Sequence, residues 1–204
     1  MLEFGLIVIG AHTGIHIITE IEKFYSEKIL LVEPVPHNVE AMKKNLSKYK
    51  NIIIEPIAIG NHNEFRNFYY IKSESLTKLK KHWASGIGSF DKNHIYSHKT
   101  KRFKVEEQDI EEIKIKCMTF SDLLKKHSIS SIKKLLMDVE GSEYEILNDI
   151  NFEQINIGKI LFEYKHFDGH FRKGEKLDKI KKKLESHSYK LTTIDEENML
   201  AEKI

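Results

Sequence analysis

Three groups of residues in this chain have the types and spacing to do chemistry, and the first is a glycine turn. Gly10 and Gly14 bracket the segment Gly10-Ala11-His12-Thr13-Gly14, which follows an apolar run and precedes residues at helical spacing. Glycines at a strand-to-helix turn let the backbone approach a ligand closely, and the helix N-terminus offers free N–H groups. The second is Glu33, 19 residues beyond Gly14 at the end of the next apolar run. That is close to the spacing of about 20 at which an acid accepts the hydrogen bonds of a ribose diol. Either feature alone is weak, since tight turns and strand-end acids are common. Together they point to a ligand carrying a ribose.

The identity of that ligand follows from what the turn lacks. A dinucleotide pyrophosphate calls for G-x-G-x-x-G, and position 12 is His. A triphosphate calls for a lysine after the second glycine, and Gly14 is followed by Ile15. S-adenosyl-L-methionine has no phosphate, so the simpler turn suffices and it is the expected cofactor.

The third group is Asp138, Glu140 and Glu143, with Glu163 and His166 further on. In a doubly wound sheet ligands bind at the carboxyl ends of the strands, which sets Asp138 and Glu163 toward one crevice. Asp138, Glu163 and His166 are the candidate catalytic residues, as general bases for a substrate hydroxyl. Carboxylates of this kind also serve as oxygen ligands for Mg²⁺. A purely structural reading has Glu143 and Glu145 complementing a helix dipole and Glu140 in solvent. The eleven histidines show no metal-ligand spacing such as H-E-x-x-H, and no metal site is expected.

The elements that must position these groups are legible as alternating patterns. Phe4 to Ile9, Ile29 to Val32 and Ile52 to Ile54 are short continuous apolar runs, as in strands covered on both faces. Ile15, Ile18, Ile21 and Phe24 or Tyr25 predict a first helix, and Val39, Met42 and Leu46 a second. Leu135 to Asp138 and Ile160 to Glu163 are further buried strands, with a helix between them opened by a capping box of Ser142 and Glu145. Leu177, Ile180 and Leu184 mark a last helix, and Tyr189 to Ile194 with Met199 to Glu202 a terminal hairpin. Phe65 to Ile71 is an aromatic strand, Ile113 to Cys117 a half-buried one that hides Cys117, and Phe120, Leu123 and Leu124 a short helical face. Residues 73–104 are expected to be a loop-rich insertion. The pattern is α/β, a mostly parallel doubly wound sheet in one domain over residues 1–204, closed by an antiparallel hairpin.

Bulk properties bound the partners. Thirty-three Lys and Arg against 31 Asp and Glu leave a formal charge of +2, so no global field points to nucleic acid or a membrane. The lysines of the segment 179–184 flank apolar residues and read as a solvated helix face. Lys78 to Lys81 before Trp83, and Lys99 to Lys104, would be the grip for an anionic sugar or a nucleic-acid strand. A single cysteine and no signal-peptide pattern imply a reducing cytoplasm.

Five segments, in order and spacing, resemble those of the FkbM-type S-adenosylmethionine-dependent methyltransferases: Gly10 to Gly14, Val32-Glu33-Pro34-Val35-Pro36, Ile57-Ala58-Ile59-Gly60, Met137-Asp138-Val139-Glu140-Gly141-Ser142-Glu143 and Ile160 to Glu163. The resemblance spans roughly residues 4–166. It implies a Rossmann-like class I methyltransferase fold and O-methylation of a hydroxyl on a sugar or small metabolite. It also implies that Glu33 holds the ribose, Ile57 and Ala58 flank the adenine, and Asp138 sits beside the reacting end. The full cofactor set is then Gly10, His12, Gly14, Glu33, Pro34, Ile57, Ala58 and Asp138. Val8 departs from the family pattern, which has an acid there, and His12 stands where Asn is common. A non-catalytic binding domain of the same fold and a nucleic-acid methyltransferase remain as alternatives.

Overall fold

The computed structural model describes residues 2–79, 82–97, 104–169 and 172–204. Strand β1 (Leu2–Ile9), helix α1 (Ile18–Lys23), β2 (Ile29–Val32), α2 (Pro36–Asn45) and β3 (Ile52–Glu55) form the expected βαβαβ run. β4 (Ala58–Ile59) and β5 (Glu64–Ile71) follow, then α3 (Ser73–Leu79), a 3-10 turn (His82–Gly86), β6 (Gly88–Ser89) and α4 (Lys92–Ser97). The rest is β7 (Ile110–Met118), α5 (Phe120–Lys126), β8 (Ile129–Met137), α6 (Glu143–Asp149), β9 (Asn156–Glu163), α7 (Glu175–Ser186), β10 (Tyr189–Thr193) and β11 (Asn198–Lys203).

The main sheet has seven strands in the order β10-β11-β9-β8-β1-β2-β3. β3, β2, β1, β8 and β9 are mutually parallel, and β11 turns antiparallel against β9 and β10. Side chains alternate across this sheet. Ile7, Ile9, Leu30 and Val32 enter the layer that α5, α6 and α7 cover, while Leu6, Val8, Leu31 and Ile21 pack with Met42 and Leu46 on the other face. Burial on both faces is why these strands read as unbroken apolar runs rather than alternating ones. The strand order reverses between β1 and β8, so their carboxyl ends, at Ile9 and Met137, border the crevice where a doubly wound sheet takes its ligand.

A second sheet, in the order β4-β7-β5-β6, stands beside these strand ends. The aromatic strand and the half-buried strand expected separately are partners in it, paired antiparallel from Glu64 with Cys117 to Ile71 with Ile110. Cys117 is buried as expected, and burial pushes its thiol pKa up. The insertion is not the loop-rich segment predicted. Its described part is largely helical, and Ala84, Ile87 and Ile95 form a small core with Ile71 and Ile110. Its apolar residues are too few and too unevenly spaced to show a period, because they are buried against another sheet and not against a long helix partner.

Two further expectations fail in part. Ile18, Ile21 and Phe24 pack on the core, but Ile15 is 58% exposed because regular helix begins only at Ile18, and Tyr25, beyond the helix end at Lys23, is 73% exposed. Ser142 is the residue before α6, but its side chain makes no capping hydrogen bond. The carboxylate of Glu143 takes the turn's amides in its place, as described below. The basic segment expected to grip an anion falls largely outside the described residues, at 80–81 and 98–103; Lys78, within them, is held by Asp109 at 3.1 Å.

Gly14 has φ +77°, and a Cβ there would lie 2.7 Å from Leu46 Cδ1 on the far side of α2's C-terminus. Gly14→Ala is expected to lower the urea midpoint by the equivalent of about 1–2 kcal/mol, the cost of a left-handed non-glycine residue. An unchanged midpoint would show that the turn relaxes freely.

Candidate functional site

The Asp138 amide donates to the Ile9 carbonyl at 3.1 Å, which locks the end of β8 to the end of β1. Gly10 follows with φ +85°, and a Cβ on it would sit 1.8 Å from the Asp138 carbonyl oxygen. No other residue fits there, so the first glycine of the turn is required by the neighbouring strand itself.

Beyond Asp138 the chain turns sharply through Glu140 (φ +54°) and Gly141 (φ +112°) into α6. Glu143, which has no solvent exposure, reaches back over this turn. Its Oε1 accepts the Val139 N–H at 2.6 Å and its Oε2 the Gly141 N–H at 3.0 Å. Burial pushes its pKa up to about 7, against the pull of those amides. Glu143 is therefore no solvent-facing helix-dipole acid, and Glu140 is not the solvated residue expected: its side chain is 18% exposed.

A cleft opens at these strand ends. Gly10, Glu33, Pro34, Ile57, Ala58 and Asp138, all assigned to the cofactor from sequence, line it. The facing wall is Phe68 of β5 with Gly88, Ser89 and Phe90 of the insertion, and Glu140 closes one end. His12 and Gly14 do not line it. Gly14 faces α2, as above. His12 acts through its backbone, whose N–H donates to Glu33 Oε2 at 2.9 Å, while its ring nitrogen lies 2.6 Å from Ser85 Oγ. Burial, aided by His16 and His37, pushes the His12 pKa down to about 4, so the ring is neutral.

Glu33 is 5% exposed and its Oε1 accepts the Val35 N–H at 3.0 Å and Asn38 Nδ2 at 3.3 Å. Burial raises its pKa and these amides oppose the rise. Asn38 also donates to the Ser85 carbonyl at 2.8 Å, so the insertion is tied to the Glu33 side of the cleft. Val8, where an acid was expected by resemblance, is buried in the core on the α1 and α2 face and cannot reach the cleft. The lining contains three carboxyl groups, Glu33, Asp138 and Glu140, and among the described residues no lysine, arginine or histidine.

A second, wider cleft shares Ser89, Phe90, Glu140 and Ser142 with the first and adds Asn61, Arg66, His94 and His166. The Arg66 guanidinium lies 4.1 Å from the centre of the Phe90 ring. Of the three catalytic candidates, Asp138 faces the first cleft, His166 the second, and Glu163 neither. Glu163 is buried behind them, its Oε1 2.5 Å from Lys165 Nζ and its Oε2 3.7 Å from His166 Nε2. Carboxyl oxygens of Asp138, Glu143 and Glu163 all lie within 4.8 Å of one another. Loss of solvation on the cleft side and then the Glu140 charge push Asp138, which keeps exposed surface, up to about 6; burial and then Asp138 push Glu163 up to about 9. Carboxyls so close titrate together, and Lys165 opposes the rise at both. Glu140, Phe90 and His94 were not assigned from sequence. The D-V-E-G run carried a signal for Glu140; nothing local marked the other two.

Comparison with known proteins gives one family. The model of the methyltransferase FkbM domain matches residues 9–191. No curated protein matches the chain. Among solved structures, a Streptococcus mutans protein assigned as a methyltransferase, in complex with S-adenosylhomocysteine, is 10% identical over 100% of this chain and 91% of that one, with TM-score 0.50. A precorrin-6y C5,15-methyltransferase from Geobacter metallireducens is 13% identical over 100% of this chain and 82% of that one, with TM-score 0.46. Fibrillarin from Aeropyrum pernix, with natively bound S-adenosyl-L-methionine, is 10% identical over 98% of this chain and 66% of that one, with TM-score 0.46. Likeness at these identities concerns the fold.

The raised Glu143 pKa sets a pH dependence. Its native carboxyl keeps a proton up to about pH 7, whereas the unfolded chain releases it near 4.5. Native stability therefore falls as pH rises from 4.5 to 7, by up to about tenfold in the folding constant per pH unit for this one proton. Glu143→Gln is expected to flatten the slope of thermal midpoint against pH in that window. An identical slope in the variant would show that Glu143 is charged throughout.

Proposed function

The chain belongs to the methyltransferase FkbM domain family and is on that ground an S-adenosylmethionine-dependent methyltransferase, and we propose that its acceptor is a hydroxyl on a saccharide or other small polar metabolite. The carrying observation is the acid-only first cleft opening, at Glu140, into a polar second one with an aromatic floor.

The residues present fit the cofactor. Gly10 leaves backbone room that any Cβ would fill, and the lining among the described residues offers no cation to a phosphate. When bound, the cofactor supplies a methyl group on a positively charged sulfur. Glu33 is placed to accept both ribose hydroxyls, a carboxylate being able to take two donors at once. Ile57, Ala58 and Phe68 supply apolar walls for the adenine. Asp138 and Glu140 set negative charge at the opposite end, where the sulfonium and amino groups would lie, and they replace the acid absent at Val8.

On the acceptor side, Phe90 offers a ring face for the apolar side of a sugar, while Asn61 and Arg66 offer hydrogen bonds to its hydroxyls. The hydroxyl proton, released as its oxygen takes the methyl group, passes to Asp138, which lines the cleft and titrates near pH 6. Glu163 and His166 act through it, by holding the local charge. Most of the rate comes from holding the two groups in line and in contact.

Calorimetry with S-adenosylmethionine and S-adenosylhomocysteine tests the cofactor site. Wild type is expected to bind both, and Glu33→Gln to weaken binding about 10- to 100-fold, the loss of one or two charge-assisted hydrogen bonds. No binding at millimolar ligand would overturn the reading. Methyl transfer to a hydroxylated acceptor is expected to fall as pH drops below about 6, where Asp138 gains its proton, and Asp138→Asn to abolish that limb together with most of kcat. A pH profile unchanged in the variant would remove Asp138 as the base.

A further inference from the structure

The two clefts meet at Glu140, and two imidazoles from distant parts of the chain converge on it. His94 comes from α4 in the insertion, and His166 from the turn after β9. His94 Nε2 lies 3.4 Å, and His166 Nε2 3.3 Å, from the same carboxylate oxygen, Glu140 Oε2. The three groups present ligand atoms all within 4.8 Å of one another, and the two rings cross at 75° with centroids 5.1 Å apart. We propose that His94, Glu140 and His166 form a binding site for a divalent transition-metal ion whose remaining coordination positions open into the acceptor cleft.

The separations favour a shared ion over a simple ion pair. Charge-assisted N–H···O bonds settle near 2.7–2.9 Å, shorter than both contacts here. Ligands about 2.1 Å from a tetrahedral centre stand about 3.4 Å apart, which matches both histidine-to-Glu140 separations. The donor set decides the class of ion. Two imidazole nitrogens and one carboxylate oxygen suit zinc, iron(II), cobalt or manganese, whereas magnesium and calcium prefer oxygen alone. Three protein ligands are the number found in sites that keep a position for water or substrate.

The backbone is shaped for this convergence. Glu140 holds φ +54°, an unfavourable conformation for a non-glycine residue, and the turn that holds it there is laced by Glu143. Side chains of His94, Glu140 and His166 are 17%, 18% and 11% exposed, half-buried with an open side on the wide cleft. Local charge also accommodates a cation: Asp138, Glu140 and Glu163 gather against the single ammonium of Lys165 among the described residues.

The site rests on the methyl-transfer reading only for what the ion does there. An acceptor hydroxyl occupying an open position gives up its proton more readily, and that proton goes to Asp138 as the oxygen–carbon bond forms and the sulfur–carbon bond breaks. Binding of the ion itself is independent of that step.

The full chain, stripped of metal with a chelator, would be titrated with Co²⁺ by visible absorption and with Zn²⁺ by calorimetry. One ion per chain is expected, at micromolar affinity or tighter, with a cobalt spectrum typical of four or five nitrogen and oxygen ligands. His94→Ala and Glu140→Gln are each expected to weaken binding at least tenfold, and His94→Ala to leave S-adenosylhomocysteine affinity intact. The nine histidines outside the site provide the background, so wild type binding Co²⁺ no tighter than His94→Ala overturns the site. Cofactor binding without metal binding would overturn the site alone. Metal binding without cofactor binding would support the site and overturn the methyl-transfer reading.

Discussion

The carboxylate of Glu143 is the constraint on which the rest of this site depends. It lies in the interior with no exposed surface, where an unpaired charge would cost several kcal/mol, and its partners are two backbone amides of a turn four residues long. The turn contains two consecutive left-handed residues, one of them not glycine, and without a side chain to collect the Val139 and Gly141 amides it has no reason to keep that shape. With the carboxylate in place, Asp138 points into the first cleft and Glu140 into the boundary between the two. Sequence suggested a hydroxyl cap from Ser142. The acid one residue later is longer and reaches two amides at once, which a serine cannot.

Charge then sorts what the clefts accept. Among the described residues the first cleft is lined by three carboxyls and by no cation, a charge pattern that disfavours phosphate. Val8 faces the core, and the negative charge in the first cleft comes instead from Glu33 and from Asp138 and Glu140, which follow β8. Desolvation, with the Glu140 charge at Asp138 and the Asp138 charge at Glu163, raises both pKa values, and Lys165, 2.5 Å from Glu163, opposes the rise at each.

What could be read from the sequence followed from how many neighbours dictate each residue. Strands buried on both faces leave continuous apolar runs, and β1, β2, β3, β8 and β9 were all legible for that reason. Glu33 and Gly10, each tied to a strand end by a fixed spacing, line the cleft, whereas Gly14 packs on α2 and His12 turns its ring to Ser85, and sequence alone does not separate the two situations. The second sheet was hidden because its strands pair across an insertion of some forty residues, Ile71 against Ile110, and pairing at that distance has no local signature. His94, Glu140 and His166 converge from three segments, so no motif of closely spaced ligands exists to find.

The insertion and the main sheet divide the work unequally. The sheet supplies Glu33, Asp138 and Glu140 on strand ends held by ladder hydrogen bonds and cannot vary them without losing its own turns. The insertion reaches the same space with Ser85, Phe90 and His94, which rest on a small core of their own, Ala84, Ile87 and Ile95, and on two hydrogen bonds to His12 and Asn38. Such a segment can exchange its cleft-facing residues while the sheet beneath it stays unchanged. Because Ser85 is tied to Asn38, and Asn38 to Glu33, filling the Glu33 side of the cleft bears directly on the segment that carries Phe90 and His94. The Glu33 side of the first cleft and the segment that carries Phe90 and His94 are thereby joined by a short chain of hydrogen bonds through Asn38 and Ser85.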